Sequence, residues 1–82
     1  MTTVVLYGRV GCCLCEDARQ MLLRIRERHP FELRERDIES DDALLRGFLE
    51  RIPVVEIDGV EEFELLIDES DLASRLAKVQ DG

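Results

Sequence analysis

The chain has 82 residues, of which 45% are hydrophobic and 37% charged, and its formal net charge is −8. That length holds one core and no second, so a single domain over residues 1–82 is expected; the apolar share excludes an intrinsically disordered chain. The negative balance argues against a nucleic-acid partner, because phosphate contacts need a basic face. No apolar run approaches the roughly 20 residues that cross a bilayer, and "MTTVVLYGRV" lacks the basic start and long apolar run of a secretory signal. A cytoplasmic monomer without membrane contact is the expectation.

The first element is "TVVLYG", ending at Gly8. It is rich in β-branched residues and apolar on both sides, the pattern of a central strand covered on both faces. A loop with Gly8, Arg9 and Gly11 follows, and from Cys12 or Cys13 the period changes. Leu14, Ala18, Met21, Leu22 and Ile25 fall on one face of an amphipathic helix. Glu16 and Asp17 in its first turn and Arg24, Arg26 and Arg28 in its last complement the helix dipole, and Pro30 stops it.

"FELRERDI", residues 31–38, alternates and then loses the alternation, as a charge-blunted edge strand does. Ser40 is an N-cap residue for a second helix from Asp41 to about Glu50, with Leu44, Leu45, Phe48 and Leu49 as its apolar positions. Two strand-like runs then flank Asp58–Gly59, a dipeptide suited to a two-residue hairpin turn. "DESDLASRLAKVQ" closes the chain as a helix with a Leu72, Ala73, Leu76, Ala77 stripe. The order β-α-β-α-β-β-α predicts an α/β fold: a four-stranded mixed sheet flanked by three helices, with a right-handed crossover between the first two strands.

Three cysteines crowd "GCCLC" at the junction of the first strand and first helix, the sheet edge where reactive groups gather in open α/β folds. Cys12 and Cys15, three apart at a helix start, lie about 5–6 Å apart on one face, within the roughly 4.4–6.8 Å that a disulfide spans. Cys13 pairs poorly with either neighbour. Within the pair, Cys12 stands where unpaired backbone N–H groups and the helix dipole favour a thiolate, and is the expected nucleophile. Cys15, one turn inside, suits the role of resolving thiol. Arg9 adds positive charge nearby, while Glu16, Asp17 and the net acidity oppose it.

Two rival readings stand beside the redox dithiol. A structural zinc site wants four ligands, usually as two pairs, yet no second cysteine pair exists and His29 lies fourteen residues past Cys15, roughly 21 Å along a helix. No metal site is therefore expected within one chain, although a site shared between chains would serve a metal or iron–sulfur carrier. The other reading is small buried cysteines without chemistry, in a binding or redox-sensing module that turns nothing over. Cys13 reads as a bystander or a secondary thiol.

With the motif placed on that junction, the chain resembles glutaredoxins within the thioredoxin superfamily, above all the short glutaredoxin-like proteins of bacteria and archaea. "VVLYGRVGCCLCEDA", residues 4–18, is similar to the family's opening strand, tyrosine, basic residue and Cys-x-x-Cys helix. "RIPVV", residues 51–55, is similar to the segment carrying the superfamily's cis-proline. The resemblance implies a thioredoxin/glutaredoxin fold and a small thiol–disulfide oxidoreductase, with Cys12 as nucleophile and Cys15 as resolving thiol. It also implies Pro53 as the cis-proline, the Ile52 backbone as a strand-like surface for a bound peptide or glutathione, and Arg9 as the anchor of a glutathione carboxylate. Leu14, at the family's tyrosine position, completes the expected substrate-binding set, and Tyr7 is placed either on the wall of the site or in the core. No bound cofactor is implied; glutathione is the expected co-substrate, a disulfide-containing protein or glutathione the partner, and a reductase the source of electrons. The sequence also departs from the family. The pair encloses Cys-Leu in place of Pro-Tyr, Ile52 replaces threonine, and residues 61–71 contain no glycine where the family uses a glycine pair and an acidic residue to hold the γ-glutamyl end of glutathione, Asp68 or Glu69 being the stand-ins for that acid.

Overall fold

The computed structural model describes residues 1–81. The strands are β1 (Thr3–Gly8), β2 (Glu32–Asp37), β3 (Val54–Ile57) and β4 (Val60–Glu64); the helices are α1 (Cys13–Arg26), α2 (Asp42–Phe48) and α3 (Glu69–Asp81). They form one sheet of order β2-β1-β3-β4. β1 runs parallel to β2 and antiparallel to β3, and β3 is antiparallel to β4. This is the expected mixed sheet in the expected order. None of the described helices is long and apolar enough to cross a membrane.

Pleating sorts β1 and β3 into two faces. Val4 and Leu6 stand opposite Ile57 and Val55, and all four are buried with Ala18, Leu22 and Ile25 of α1 and Leu72 and Leu76 of α3. Burying each such aliphatic side chain contributes about 1.5–3 kcal/mol, so this face holds most of the apolar stabilisation. On the other face, Val5 and Tyr7 are only partly buried, and α2 contributes no fully buried residue. β1 is thus covered on both faces, as expected, but more thinly on the second. α2 is only seven residues long, too short to seal a sheet.

Local chemistry sets the boundaries. Cys12 is the N-cap of α1, with extended dihedrals of φ −89° and ψ 109°. At Asp58 and Gly59 both φ angles are positive, 49° and 88°, as a hairpin turn matching the strand twist requires. Asp68 caps α3, accepting from the N–H groups of Ser70 and Asp71 at 2.8 and 3.1 Å. Ser40 is not the cap of α2. Residues Ile38–Ser40 form a 3-10 turn, and the Ser40 hydroxyl donates back to the Asp37 carbonyl at 2.6 Å. Asp41 caps instead, accepting from the Ala43 N–H at 2.7 Å, and the helix ends at Phe48 instead of Glu50. Leu14 is likewise displaced from the expected core stripe: Cys15, Ala18, Leu22 and Ile25 take the buried positions of α1, and Leu14 is 43% exposed.

Candidate active site

The site grows out of the turn between β1 and α1. Arg9, Val10, Gly11 and Cys12 close a turn in which the Cys12 N–H donates to the Arg9 carbonyl at 3.4 Å. Gly11 sits third in it at φ 84°, a conformation that a β-carbon would strain. This turn delivers Cys12 to the helix N-cap. Cys12 and Cys15 are joined as a disulfide with Cα atoms 5.2 Å apart, and the Cys15 N–H points at the Cys12 Sγ from 3.1 Å. That N–H is one of the unpaired donors of the helix start, so it is already aimed at the sulfur where negative charge would develop on reduction.

The two sulfurs differ in environment. Cys12 is partly exposed, whereas Cys15 is 7% exposed and buried with Ile38 and Ile52. Gly8 makes this burial possible: a β-carbon there would lie 3.1 Å from the Cys15 Cβ and 3.2 Å from its Sγ. Cys13 is free and exposed.

The other residues of interest divide between two depressions. A cleft of about 680 Å³ runs from the cysteines toward the end of β2 and is lined by Gly8, Arg9, Cys12, Cys13 and Cys15, among others. Its charges are mixed and mutually engaged: Arg9 pairs with Glu39 at 3.4 Å and Arg19 with Glu35 at 2.8 Å. Leu14 faces a different groove of about 300 Å³, which it shares with Met21, Leu65 and Leu66. Ile52 packs against the cluster that holds Cys15, the Ile52–Pro53 peptide bond is cis, and Pro53 is fully buried, lining neither depression. Arg9 and Leu14, both expected to meet substrate, are therefore in separate depressions. Among the described residues no group of three or more His, Cys, Asp or Glu is arranged to hold a metal ion.

The family described as glutaredoxin-like domain (DUF836) matches residues 3–77. The chain belongs to that family. Among solved structures, this glutaredoxin-like protein is similar to protein XcR50 from X. campestris, with 27% identity over 92% of this chain and 96% of that one and a TM-score of 0.78. It is similar also to protein Ne2328 from Nitrosomonas europaea, with 28% identity, 90% and 89% coverage and a TM-score of 0.77. Oxidised thioredoxin O2 from Arabidopsis thaliana shares the fold at 19% identity, a TM-score of 0.71 and coverage of 96% and 75%. No curated protein matches the chain. Fold and cysteine pair together support a thiol–disulfide redox role.

Several residues that build this glutaredoxin-like site carry no motif. Gly8 reads in the sequence as loop punctuation, yet its lack of a β-carbon leaves the room that Cys15 occupies. Phe48 stacks on Tyr7 with ring centroids 4.7 Å apart, and the Arg51 guanidinium lies 5.2 Å from the Phe48 ring centre. Arg51 also pairs with Glu61 and, at 3.0 Å, with Glu64 of β4. Tyr7, left between wall and core by the sequence, is partly buried and donates to Glu56 at 3.2 Å. Burial, followed by the adjacent Glu56 carboxylate, pushes its phenol above the ordinary value. Leu65 sits at φ 64°, a left-handed conformation uncommon for a branched residue. Its N–H donates to the carbonyls of Arg51 at 3.1 Å and Pro53 at 3.0 Å, tying the end of β4 to the cis-proline segment. These contacts join positions far apart in sequence, and only the glycine at the strand end and the aromatic near the helix end hint at them.

Proposed function

We propose that this glutaredoxin-like protein is a small cytoplasmic oxidoreductase that reduces disulfides or mixed disulfides through Cys12 and Cys15. The observation that carries the reading is the asymmetry of the pair. Cys12 is the more accessible sulfur, at a helix N-cap with a backbone N–H aimed at it, while Cys15 is buried behind it against Gly8. An exposed sulfur at a helix start suits the attacking thiolate, and a shielded one within bonding reach suits the thiol that resolves the mixed disulfide.

In this mechanism the Cys12 thiolate attacks one sulfur of a substrate disulfide, and the other substrate sulfur leaves as a thiolate. The Cys15 thiol then loses its proton and attacks the Cys12 Sγ, releasing the first substrate sulfur. Two electrons pass from protein to substrate, and the protein ends as the Cys12–Cys15 disulfide. A disulfide-containing protein or glutathione is the proposed partner, and glutathione or a reductase resets the dithiol. Arg9 and Leu14 are the proposed substrate-facing side chains, the backbone of Ile52 beside the buried Pro53 is the proposed strand-like surface for the bound chain, and Cys13 is a secondary thiol outside the cycle.

Serine replacement of each cysteine separates the roles. Cys12→Ser abolishes turnover of a small disulfide substrate, whereas Cys15→Ser accumulates a mixed disulfide at Cys12 that is detectable by mass. Equal residual turnover in the two variants contradicts the assignment.

A further inference from the structure

The pairing of β3 with β4 carries an irregularity that brings distant charges together. Val54 stands opposite Glu64 and Val55 opposite Phe63, but Glu56 stands opposite Glu61. Glu62 is therefore the extra residue of a β-bulge, with no partner on β3. In a regular strand Glu61 and Glu64, three apart, would point to opposite faces. With one residue bulged out they stand opposite Glu56 and Val54 and share a single face. On that face the Tyr7 hydroxyl donates to Glu56. Glu62 pairs elsewhere, with Arg75 of α3 at 3.5 Å.

The bulge thus gathers three carboxylates, and like charges directly opposite each other destabilise a sheet. Arg51 answers two of them. Its Nε donates to Glu64 at 3.0 Å and its Nη2 donates to Glu61, while the guanidinium lies 5.2 Å from the Phe48 ring centre. The main chain of Arg51 is held as well. Its N–H donates to the Phe48 carbonyl at 2.8 Å, and its carbonyl accepts from the Leu65 N–H at 3.1 Å. A lone exposed ion pair contributes little, but a planar fork on two carboxylates and a ring permits one geometry. Next in the chain is Ile52, which packs in the cluster that holds Cys15.

We propose, resting on the dithiol reading and on the Ile52 backbone as the surface for a bound chain, that Arg51 is a positioning residue. Clamped by Glu61, Glu64 and Phe48, it holds the Ile52 backbone where an extended polypeptide disulfide must lie for its sulfur to meet Cys12. Arg51 itself touches neither sulfur of the pair. Its contribution belongs to substrates long enough to lie along residue 52, and a small disulfide without a peptide chain reaches Cys12 without it.

The test is single-turnover kinetics of the pre-reduced full chain with two mixed disulfides of thionitrobenzoate. One carries a short extended peptide with a central cysteine, the other mercaptoethanol. In each, the Cys12 thiolate attacks the carrier sulfur and thionitrobenzoate leaves as a coloured thiolate. Arg51→Gln should lower the ratio of the peptide rate to the mercaptoethanol rate roughly tenfold, well inside the hundredfold that a displacement of about 1 Å can cost. Arg51→Lys keeps the charge without the planar fork and should recover only part of that ratio. Glu64→Gln should lower the ratio in the same direction. Combined with Arg51→Gln it should cost nothing further, because both remove one clamp. An unchanged ratio in Arg51→Gln, or additive losses in the double variant, overturns the positioning role and leaves the dithiol reading standing. No coloured thiolate from the wild-type chain with either probe overturns both.

Discussion

The two faces of the sheet are built to different standards. On the α1/α3 face, Val4, Leu6, Val55 and Ile57 meet Leu22, Leu72 and Leu76 in a dry aliphatic layer. On the α2 face, a seven-residue helix with no fully buried side chain stacks its Phe48 on Tyr7, and polar groups of Glu56 and Arg51 complete the cover. Cys15 and Ile52 belong to the second, smaller cluster. Stability and the redox site are thus drawn from different parts of one small fold. The thin side is where a segment can shift at modest cost when a sulfur bond forms or breaks, since local opening follows sparse apolar contact.

Substitutions on either side can break or sharpen that contrast. The largest loss is expected from Leu22→Ala on the thick face, where a fully buried leucine is truncated; the cost is about 2–5 kcal/mol, read from the urea unfolding midpoint. Gly8→Ala should cost less, about 1–3 kcal/mol for forcing a methyl into a packed contact, but it acts directly on the Cys15 approach. Its signature is slower release of substrate from the Cys12 mixed disulfide, with the initial attack little changed. Phe48→Ala on the thin face should cost least, roughly 1–2 kcal/mol for a partly buried ring. Hydrogen exchange should nevertheless show faster opening of residues 48–53 than of β1. If Phe48→Ala proves as damaging to global stability as Leu22→Ala, the two faces are not energetically distinct.

Much of the architecture is legible in the sequence because local and global signals agree. The β-branched run of β1, the period change at Cys12 and the Asp58–Gly59 turn each specify an element without help from distant residues. The structure departs from the local pattern where a neighbouring turn or a packing contact decides. Ser40 is a good N-cap residue in isolation, but the 3-10 turn at Ile38–Ser40 takes its hydroxyl and leaves the cap to Asp41. Leu14 fits the apolar stripe of α1, yet the close contact of Cys15 with Gly8 turns the helix so that Cys15 is buried and Leu14 faces outward. The cysteine pair itself stands out by spacing and placement. The supports of the site, Phe48 on Tyr7 and Leu65 on Arg51 and Pro53, lie up to 41 residues apart and have no local signature.

The account turns on Cys12 and Cys15 acting as one redox unit with Cys13 outside it. Mass spectrometry of the thiols, alkylated after equilibration across a series of glutathione redox buffers, tests this most directly. The prediction is a single two-electron transition in which Cys12 and Cys15 lose their alkylation together while Cys13 stays modified. Separate transitions for Cys12 and Cys15, or a bond joining Cys13 to either of them, would contradict it.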